Sequence, residues 1–309
     1  MSAQILLKAR PTEMQLADRL QAPRPDGLEL YLDTADLADA AAMEGVVARL
    51  DRCALPAGFT LLVEGPIRSL DGEFFDLSRD SEADRELSRR LVDLSRRIGA
   101  LGANIHAIAP NADPRSLTIE HRSEILRRAI GPARFFADLA LAADVVPTVE
   151  NIPPISRMRE HGFYYSAIGM PPRDLTELVA AVPGLQVVFD TSHAQLYLNV
   201  RRGVEERVDG LDLGPLRRFV ADLPGPATLD EYFDALGDSV FWCQVSNAGG
   251  LLGEGLPYGE GDLDLDRIVP RLADRVPRLV IETLEPDHDR AVFMRDAQAR
   301  ILQVFGRTS

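Results

Sequence analysis

The sequence predicts an α/β protein that folds as a closed (β/α)8 barrel, in one domain over residues 1–309. Eight short apolar runs alternate strictly with amphipathic stretches, and such alternation is typical of a parallel sheet. Eight units without a break favour a closed barrel over an open sheet, and this length is ordinary for a barrel that forms one domain. Several of the runs also end on a side chain that can bind a metal ion.

Each strand-like run is short, apolar and bounded by polar or turn-forming residues, which is typical of a buried strand. Pro147 lies inside the fifth run, where its missing N–H predicts a bulge or a shortened strand. The eight runs are Gln4–Ala9, Gly27–Leu32, Phe59–Glu64, Ala103–Ile108, Val145–Ile152, Leu185–Asp190, Val240–Ser246 and Arg278–Thr283.

The stretches between and after the runs carry apolar residues at helical spacing. The connection 199–226 is long and indicates an additional helix at Gly214–Ala221. No internal repeat or low-complexity linker divides the chain. The predicted helices are Glu13–Gln21, Leu37–Arg52, Ala83–Leu101, Glu120–Ala142, Asp174–Val182, Thr228–Leu236, Asp264–Arg275 and Arg290–Phe305.

Composition limits the classes of function. A net charge of −14 and a pI near 4.9 are unfavourable for nucleic-acid binding, which depends on Lys and Arg contacts to phosphate. No apolar stretch approaches the roughly 18 residues that span a bilayer, and the N-terminus lacks the pattern of a signal peptide. Two cysteines are too few for a disulfide framework. We therefore expect a cytoplasmic protein that acts on a small molecule, without nucleic-acid or membrane partners.

The candidate site residues occur near the ends of the predicted strands. In a (β/α)8 barrel the loops that follow the strands form the active site, so these side chains should gather at one face. A lone carboxylate at a strand end is more often a helix cap, and Asp190 could cap the next helix. The candidates are Glu64, His106, Glu150, Asp190, His193, Gln244 and Glu282.

Three of these residues, Glu150, Asp190 and Glu282, would repel one another at one barrel end without a cation, so the pattern favours a metal site. Carboxylate oxygens with an amide suit Mg, Mn or Co, whereas added imidazole would favour Zn or Fe. His106 and His193 could ligate the metal, or instead support its ligands or bind substrate. A loop at 157–169 with three consecutive aromatic residues could be a lid or a hydrophobic plug.

The segments NIHAIAP, VENIP, FDTSH, GEGDLD and VIETLE together resemble the xylose isomerase-like barrel superfamily. That superfamily includes sugar isomerases and epimerases, dehydroshikimate dehydratases and endonucleases of the endonuclease IV type. The resemblance covers roughly the third to the eighth strand, and it implies one metal ion held by Glu150, Asp190, Gln244 and Glu282.

Two departures from the family pattern narrow this expectation. Gln244 stands where epimerases and endonucleases usually have a histidine, which should lower the affinity for Zn. Glu64 stands where the endonuclease branch has a histidine, so the trinuclear zinc cluster is incomplete. We expect a single divalent ion, with Mn, Mg or Co favoured over Zn. Glu64, His106 and His193 are then expected to bind substrate or to support the ligands.

The resemblance implies a metal-dependent isomerase or epimerase that acts on a sugar or sugar-like polyhydroxy carbonyl compound. Glu150 and Glu282 would transfer the proton and also ligate the metal, as in sugar epimerases. A dehydratase (lyase) that shares the first proton abstraction remains open, as does a barrel subunit without catalytic activity. Arg68, Arg157 and Arg159 are candidates for binding an anionic group. Barrels of this type often pair, which leaves a homo-oligomer open.

Overall fold

Eight parallel strands close into a barrel in a computed structural model that describes residues 3–158, 162–206 and 211–307. Each strand pairs with its neighbours in chain order, and the first pairs with the last, so that no edge strand is left. This architecture confirms the predicted (β/α)8 barrel. The strands are β1 (Gln4–Ala9), β2 (Gly27–Tyr31), β3 (Thr60–Glu64), β4 (Gly102–His106), β5 (Val146–Glu150), β6 (Gln186–Asp190), β7 (Val240–Val245) and β8 (Arg278–Ile281).

Helices cover the outside of the barrel, and several begin at a residue whose side chain accepts the backbone N–H three positions on. Thr12, Ser81, Thr118 and Thr228 act in this way and fix the start of their helices. The helices are α1 (Glu13–Arg19), α2 (Ala40–Arg52), α3 (Glu82–Arg97), α4 (Ile119–Ala142), α5 (Pro172–Ala181), α6 (Thr191–Arg201), α7 (Gly214–Asp222), α8 (Leu229–Leu236), α9 (Leu265–Ala273) and α10 (Val292–Val304).

Smaller elements complete the described chain. Single 3-10 turns lie at Thr34–Leu37, Pro114–Ser116 and Gly237–Ser239. A two-stranded sheet joins Asn247–Gly249 to Gly253–Leu256, and a three-stranded sheet joins Pro110–Asn111, Ile155–Met158 and Gly162–Ser166. None of the described helices combines the length and the apolar character that crossing a bilayer requires.

The structure differs from the sequence-based expectation in a few elements. Helix α6 was not predicted, because nearly every residue from Thr191 to Val200 is buried and the segment has no exposed polar face. Of the two outcomes predicted for Pro147, the structure shows the shortened strand: β5 ends at Glu150. Pro147 pairs with Ala103, and the register continues to Glu150 without the shift that a bulge would cause. The additional helix expected near residue 214 is present as α7.

The core has two parts. The larger part packs the outward side chains of the barrel strands against the helices. The smaller part lies inside the barrel and consists of Leu6, Leu62, Val188, Trp242 and Val280, all of them 0% exposed. This inner apolar layer closes the barrel from below and supports the polar residues that follow it on the same strands.

Candidate functional site

The candidate site lies directly above the inner apolar layer, at the carboxyl ends of the strands. Side chains alternate between the two faces of a strand, so a residue two positions after an inward-facing residue also faces inward. Each residue of the inner layer is followed at this spacing by a polar side chain: Lys8, Glu64, Asp190, Gln244 and Glu282. The strand period therefore directs these polar groups into the barrel mouth.

A lysine from β1 lies between two carboxylates of the mouth. The Nζ atom of Lys8 contacts Oε2 of Glu64 and Oε1 of Glu282, which come from β3 and from the residue after β8. Burial lowers the pKa of Lys8, but the carboxylates of Glu282 and Glu64 outweigh it and raise the pKa well above its usual value. Lys8 is therefore a permanent cation of the site.

Glu64 also has the environment of an ionised carboxylate. Burial raises its pKa, but the Lys8 ammonium and a hydrogen bond from His106 prevail and lower the pKa to about 2. The imidazole Nε2 of His106 lies 3.3 Å from Glu64 Oε1, and Nε2 of Gln244 donates to Glu64 Oε2 at 2.9 Å. Three donors thus hold Glu64 in place, which leaves it poorly suited to accept a proton from a substrate.

Glu29 of β2 lies deeper and accepts hydrogen bonds from two residues of β7. Trp242 Nε1 donates to Oε1 at 2.9 Å, and Gln244 Nε2 donates to Oε2 at 3.0 Å. The side chain is 0% exposed, and this burial raises the pKa of Glu29 to about 8. The amide nitrogen of Gln244 therefore donates one hydrogen bond to Glu29 and one to Glu64. The Oε1 atom of Gln244 is buried without a hydrogen-bond partner in the described ranges.

Glu150, the last residue of β5, is held by polar groups on both sides. Asn104 Nδ2 donates to its Oε2, and His193 Nδ1 lies 3.3 Å from its Oε1. The Asn104 side chain is itself oriented by Thr148, whose hydroxyl donates to Oδ1 at 3.3 Å. His106 Nε2 lies 3.9 Å from Glu150 Oε2. Glu150 is 1% exposed, so these contacts replace its hydration and fix its orientation.

Asp190 ends β6 and caps α6; the sequence indicated a cap at Asp190 but not the bounds of this helix. Its Oδ1 accepts the backbone N–H of His193 at 2.6 Å. The side chain of Asn151 pairs with the main chain of Asp190: Oδ1 accepts the N–H at 2.7 Å, and Nδ2 donates to the carbonyl at 2.9 Å. Burial raises the pKa of Asp190 to about 6, against the opposing charge of His193.

His193 extends from the first turn of α6 toward both carboxylates. Its Nδ1 lies 2.8 Å from the carbonyl oxygen of Asn151 and 3.7 Å from Asp190 Oδ1. Burial lowers the pKa of His193, but Asp190 and Glu150 raise it well above the usual value. The Nε2 atom lies 3.8 Å from Glu254 in the loop after β7. His193 therefore connects the two carboxylates to that loop.

The structure brings all seven sequence-predicted site residues to the same end of the barrel. Gln244 lies within β7, whereas Glu282 follows β8 directly rather than lying inside it. Potential ligand atoms approach within 4.8 Å of one another in three groups: Glu64, His106 and Glu150; Glu150, Asp190 and His193; and Glu29, Glu64 and Glu282. The predicted ligands Glu150 and Asp190 share one group, whereas Glu282 belongs to another.

The donor set fits a divalent cation. Carboxylate, amide and imidazole groups are ordinary ligands of such ions. Among the described residues, Oε1 of Gln244 and Oε2 of Glu282 are buried without a hydrogen-bond partner. Buried polar atoms are rarely left unpaired, so two oxygens of the expected ligand set are available to an ion. Which residues ligate it stays a prediction.

Besides Asn104, which holds Glu150, sequence reasoning missed Lys8, Glu29 and Asn151. Two signals were available, because Lys8 is the only lysine of the chain and Glu29 is an acidic residue inside an apolar run. Asn151 follows Glu150 in the VENIP segment, but only its contact with Asp190 identifies its role. The contacts of all three cross between strands, and periodicity along one strand does not reveal them.

Arg68 and the aromatic segment make contacts outside this group of residues. The guanidinium of Arg68 donates to the carbonyl of Gly72 and stacks on Phe74, 4.9 Å from the ring centre. Tyr165 of the aromatic segment is 3% exposed within the three-stranded sheet, which favours a packing role over a lid. Arg159 and the other residues from 159 to 161 lie outside the described residues, as does the Arg157 side chain.

Comparisons with known proteins agree with this architecture. No protein-family model matches the sequence, and no curated protein matches it. Solved structures do match. A D-tagatose 3-epimerase-like protein superposes with a TM-score of 0.66 at 14% identity, over 98% of each chain. The 3-keto-D-glucoside 4-epimerase of E. coli gives a TM-score of 0.61 at 13% identity, over 98% of this chain and 99% of that one.

Endonuclease IV from Thermus thermophilus also superposes, with a TM-score of 0.57 at 17% identity, over 97% of this chain and 99% of the other. These neighbours are xylose isomerase-like barrels. The resemblance that the sequence motifs predicted is therefore confirmed at the level of the fold. At these identities a shared fold does not establish a shared activity, which depends on the site residues.

Proposed function

We propose that the protein is a divalent-metal-dependent isomerase or epimerase of a sugar or sugar-like polyhydroxy carbonyl compound. One observation carries the proposal: the four consecutive strands β5 to β8 each bring one oxygen-bearing side chain to the same barrel end. These side chains are Glu150, Asp190, Gln244 and Glu282. Several of the similar structures are sugar epimerases, among them a D-psicose 3-epimerase with D-tagatose. Gln244, in place of the usual histidine, is compatible with a lyase or a non-catalytic subunit, but the similar structures do not favour either alternative.

Glu150, Asp190, Gln244 and Glu282 would hold the ion, and His193 is a further donor near the first two. When bound, a divalent ion supplies positive charge that stabilises negative charge on the carbonyl and hydroxyl oxygens of the substrate. Oxygen ligands favour Mn, Mg or Co, as expected from the sequence. The acidic surface, with a net charge of −14, favours a small-molecule substrate over DNA.

Glu150 and Glu282 are the proposed proton-transfer residues. Epimerisation next to a carbonyl requires one group that removes a proton from carbon and another that returns a proton to the opposite face. Asn104 and His193 orient Glu150, one at each carboxylate oxygen, and Lys8 holds Oε1 of Glu282. Burial raises the pKa of Glu282, against the opposing charge of Lys8.

The test combines metal analysis with exchange of substrate hydrogen. Purified protein is expected to hold stoichiometric Mn, Mg or Co, and to incorporate deuterium from D2O into a ketose next to its carbonyl without loss of water. We expect Glu150→Gln and Glu282→Gln to lose at least about 100-fold in exchange, because each removes one proton-transfer group. Glu73→Gln, which changes an exposed glutamate, serves as the control.

Three outcomes would contradict the proposal in different ways. Protein without a divalent ion, together with unchanged turnover in both glutamine variants, would overturn it. Formation of a conjugated enone with loss of water would identify the lyase instead. No exchange with any polyhydroxy carbonyl compound, despite a bound ion, would favour the non-catalytic subunit.

A further inference from the structure

Lys8 differs from every other basic residue of the chain. It is the only lysine among the 34 Lys and Arg residues, so the remaining 33 are arginines. Those arginines include the helix-surface residues that pair with carboxylates, such as Arg90 with Glu86. The single lysine lies instead at the barrel mouth, with its side chain 12% exposed. The chain therefore has its one lysine ammonium group among the carboxylates of the barrel mouth.

The position of this ammonium coincides with one of the three groups of potential cation ligands. Glu29, Glu64 and Glu282 bring carboxylate oxygens within 4.8 Å of one another. Lys8 Nζ contacts two of the three, Glu64 and Glu282. An ammonium is a compact charge with three donors and can serve converging carboxylates, whereas a planar guanidinium is shaped for side-on pairing.

We propose that Lys8 is a built-in cation that fills the Glu29–Glu64–Glu282 position, which a second divalent ion would otherwise take. The site then accepts one divalent ion, in the neighbourhood of Glu150 and Asp190. Lys8 is also a positioning residue for Glu282. It holds Oε1, whereas Oε2 has no hydrogen-bond partner among the described residues and is left for an ion or a proton.

This inference deepens the proposed function, because it uses the same acidic site and assigns its ion stoichiometry. It does not depend on the reaction itself. Buried carboxylates without a counter-charge are strongly unfavourable, so after removal of Lys8 they must gain either protons or a cation, and the proposal requires a divalent cation. The measurable consequence is the number of divalent ions bound per chain.

The experiment measures Mn²⁺ binding by calorimetry, and metal content after gel filtration, in wild type and Lys8→Met. We expect the variant to bind one more Mn²⁺ per chain than the wild type. Arg10→Met is the matched control, since it removes a positive charge from the same end of β1 but from a residue paired with Asp33. The control should bind the wild-type number of ions. Equal stoichiometry in wild type and Lys8→Met would overturn the proposal.

A second measurement uses the wild-type protein and is unaffected if the variant fails to fold. Because Lys8 is the only lysine, a protein labelled with 15N-lysine gives one side-chain ammonium resonance. With saturating Mg²⁺ this resonance should keep the slow proton exchange of a hydrogen-bonded ammonium. A shift to the position and fast exchange of a free lysine would show that the ion displaces Lys8, and this would overturn the proposal.

The experiments can contradict the proposed function and the role of Lys8 independently of each other. An extra ion in Lys8→Met together with no sugar exchange in the wild type would support the role of Lys8 and contradict only the proposed function. Sugar exchange in the wild type with no extra ion in Lys8→Met would leave the proposed function intact and contradict the role of Lys8.

Discussion

Replacement of Asn151 by alanine should destabilise the protein more than its small change in volume implies. The Asn151 side chain donates one hydrogen bond to the main chain of Asp190 and accepts another, at 2.9 and 2.7 Å. Both residues are buried, Asn151 at 0% and Asp190 at 1% exposure. Truncation leaves the buried N–H of Asp190 without a partner, which costs about 1–3 kcal/mol. It also removes one of the bonds to the Asp190 carbonyl, which as N-cap of α6 still accepts the first intrahelical bond. A water molecule that enters the vacated space would recover part of this free energy. We therefore expect the free energy of unfolding to fall by about 2–4 kcal/mol.

Urea unfolding followed by fluorescence is the appropriate assay. Trp242 is the only tryptophan of the chain and lies in the inner apolar layer, so its emission reports on the barrel itself. With an m-value of about 3 kcal/mol/M, the expected loss lowers the unfolding midpoint by roughly 1 M. Because Asn151 orients Asp190, binding of Mn²⁺ should weaken in the same variant.

The control for this prediction is Asn111→Ala. Asn111 also donates a hydrogen bond, to Ser116 at 2.6 Å, but the pair is exposed, so the change should be within about 0.5 kcal/mol. If Asn151→Ala were as stable as Asn111→Ala, the reasoning that the side chain of Asn151 completes the main-chain hydrogen bonding of Asp190 would be refuted.

Two further predictions concern the barrel interior and a tight turn. Trp242→Phe should lower stability by about 1–3 kcal/mol, measured by circular dichroism, because it removes the indole N–H that donates to buried Glu29; an unchanged midpoint would contradict this. Gly169→Ala should cost clearly more than Gly72→Ala in the same assay. The two glycines have nearly equal φ, +86° and +85°, but a Cβ at Gly169 would lie 2.2 Å from the Ala107 carbonyl oxygen, and one at Gly72 meets nothing within 4 Å. Equal losses would mean that backbone strain, and not the close approach, dominates.

Much of the fold followed from local patterns. The eight strands and most of the helices were predicted because each buries one face or one stripe, which imposes a period of two or of about 3.6 residues on its sequence. Helix α6 escaped prediction for the opposite reason, since it is buried on nearly all sides and lacks such a period. The observed ends of most strands also differ from the predicted ends by one or two residues. This is expected, because hydrogen bonding rather than composition determines where a strand ends.

Part of the site was predictable as well. Glu64, Asp190, Gln244 and Glu282 each follow an apolar residue of the inner layer by two positions, so the strand period alone directs them into the barrel. The barrel topology then requires that they meet at one end. Among the described residues, the carboxylates and imidazoles form three overlapping groups of potential ligands; this grouping depends on side-chain contacts, which no pattern along the sequence contains.

The sequence by itself determined the alternation of strands and helices, the faces that the strands bury and the acidic character of the barrel mouth. Each of these depends on residues close together in the chain. Only the tertiary structure decided which charges neutralise one another. Lys8 and Glu282 are 274 positions apart, and they meet because β1 pairs with β8 when the barrel closes. Closure is a property of the complete sheet, so the cation that Lys8 contributes to this site becomes visible only once all eight strands are in place.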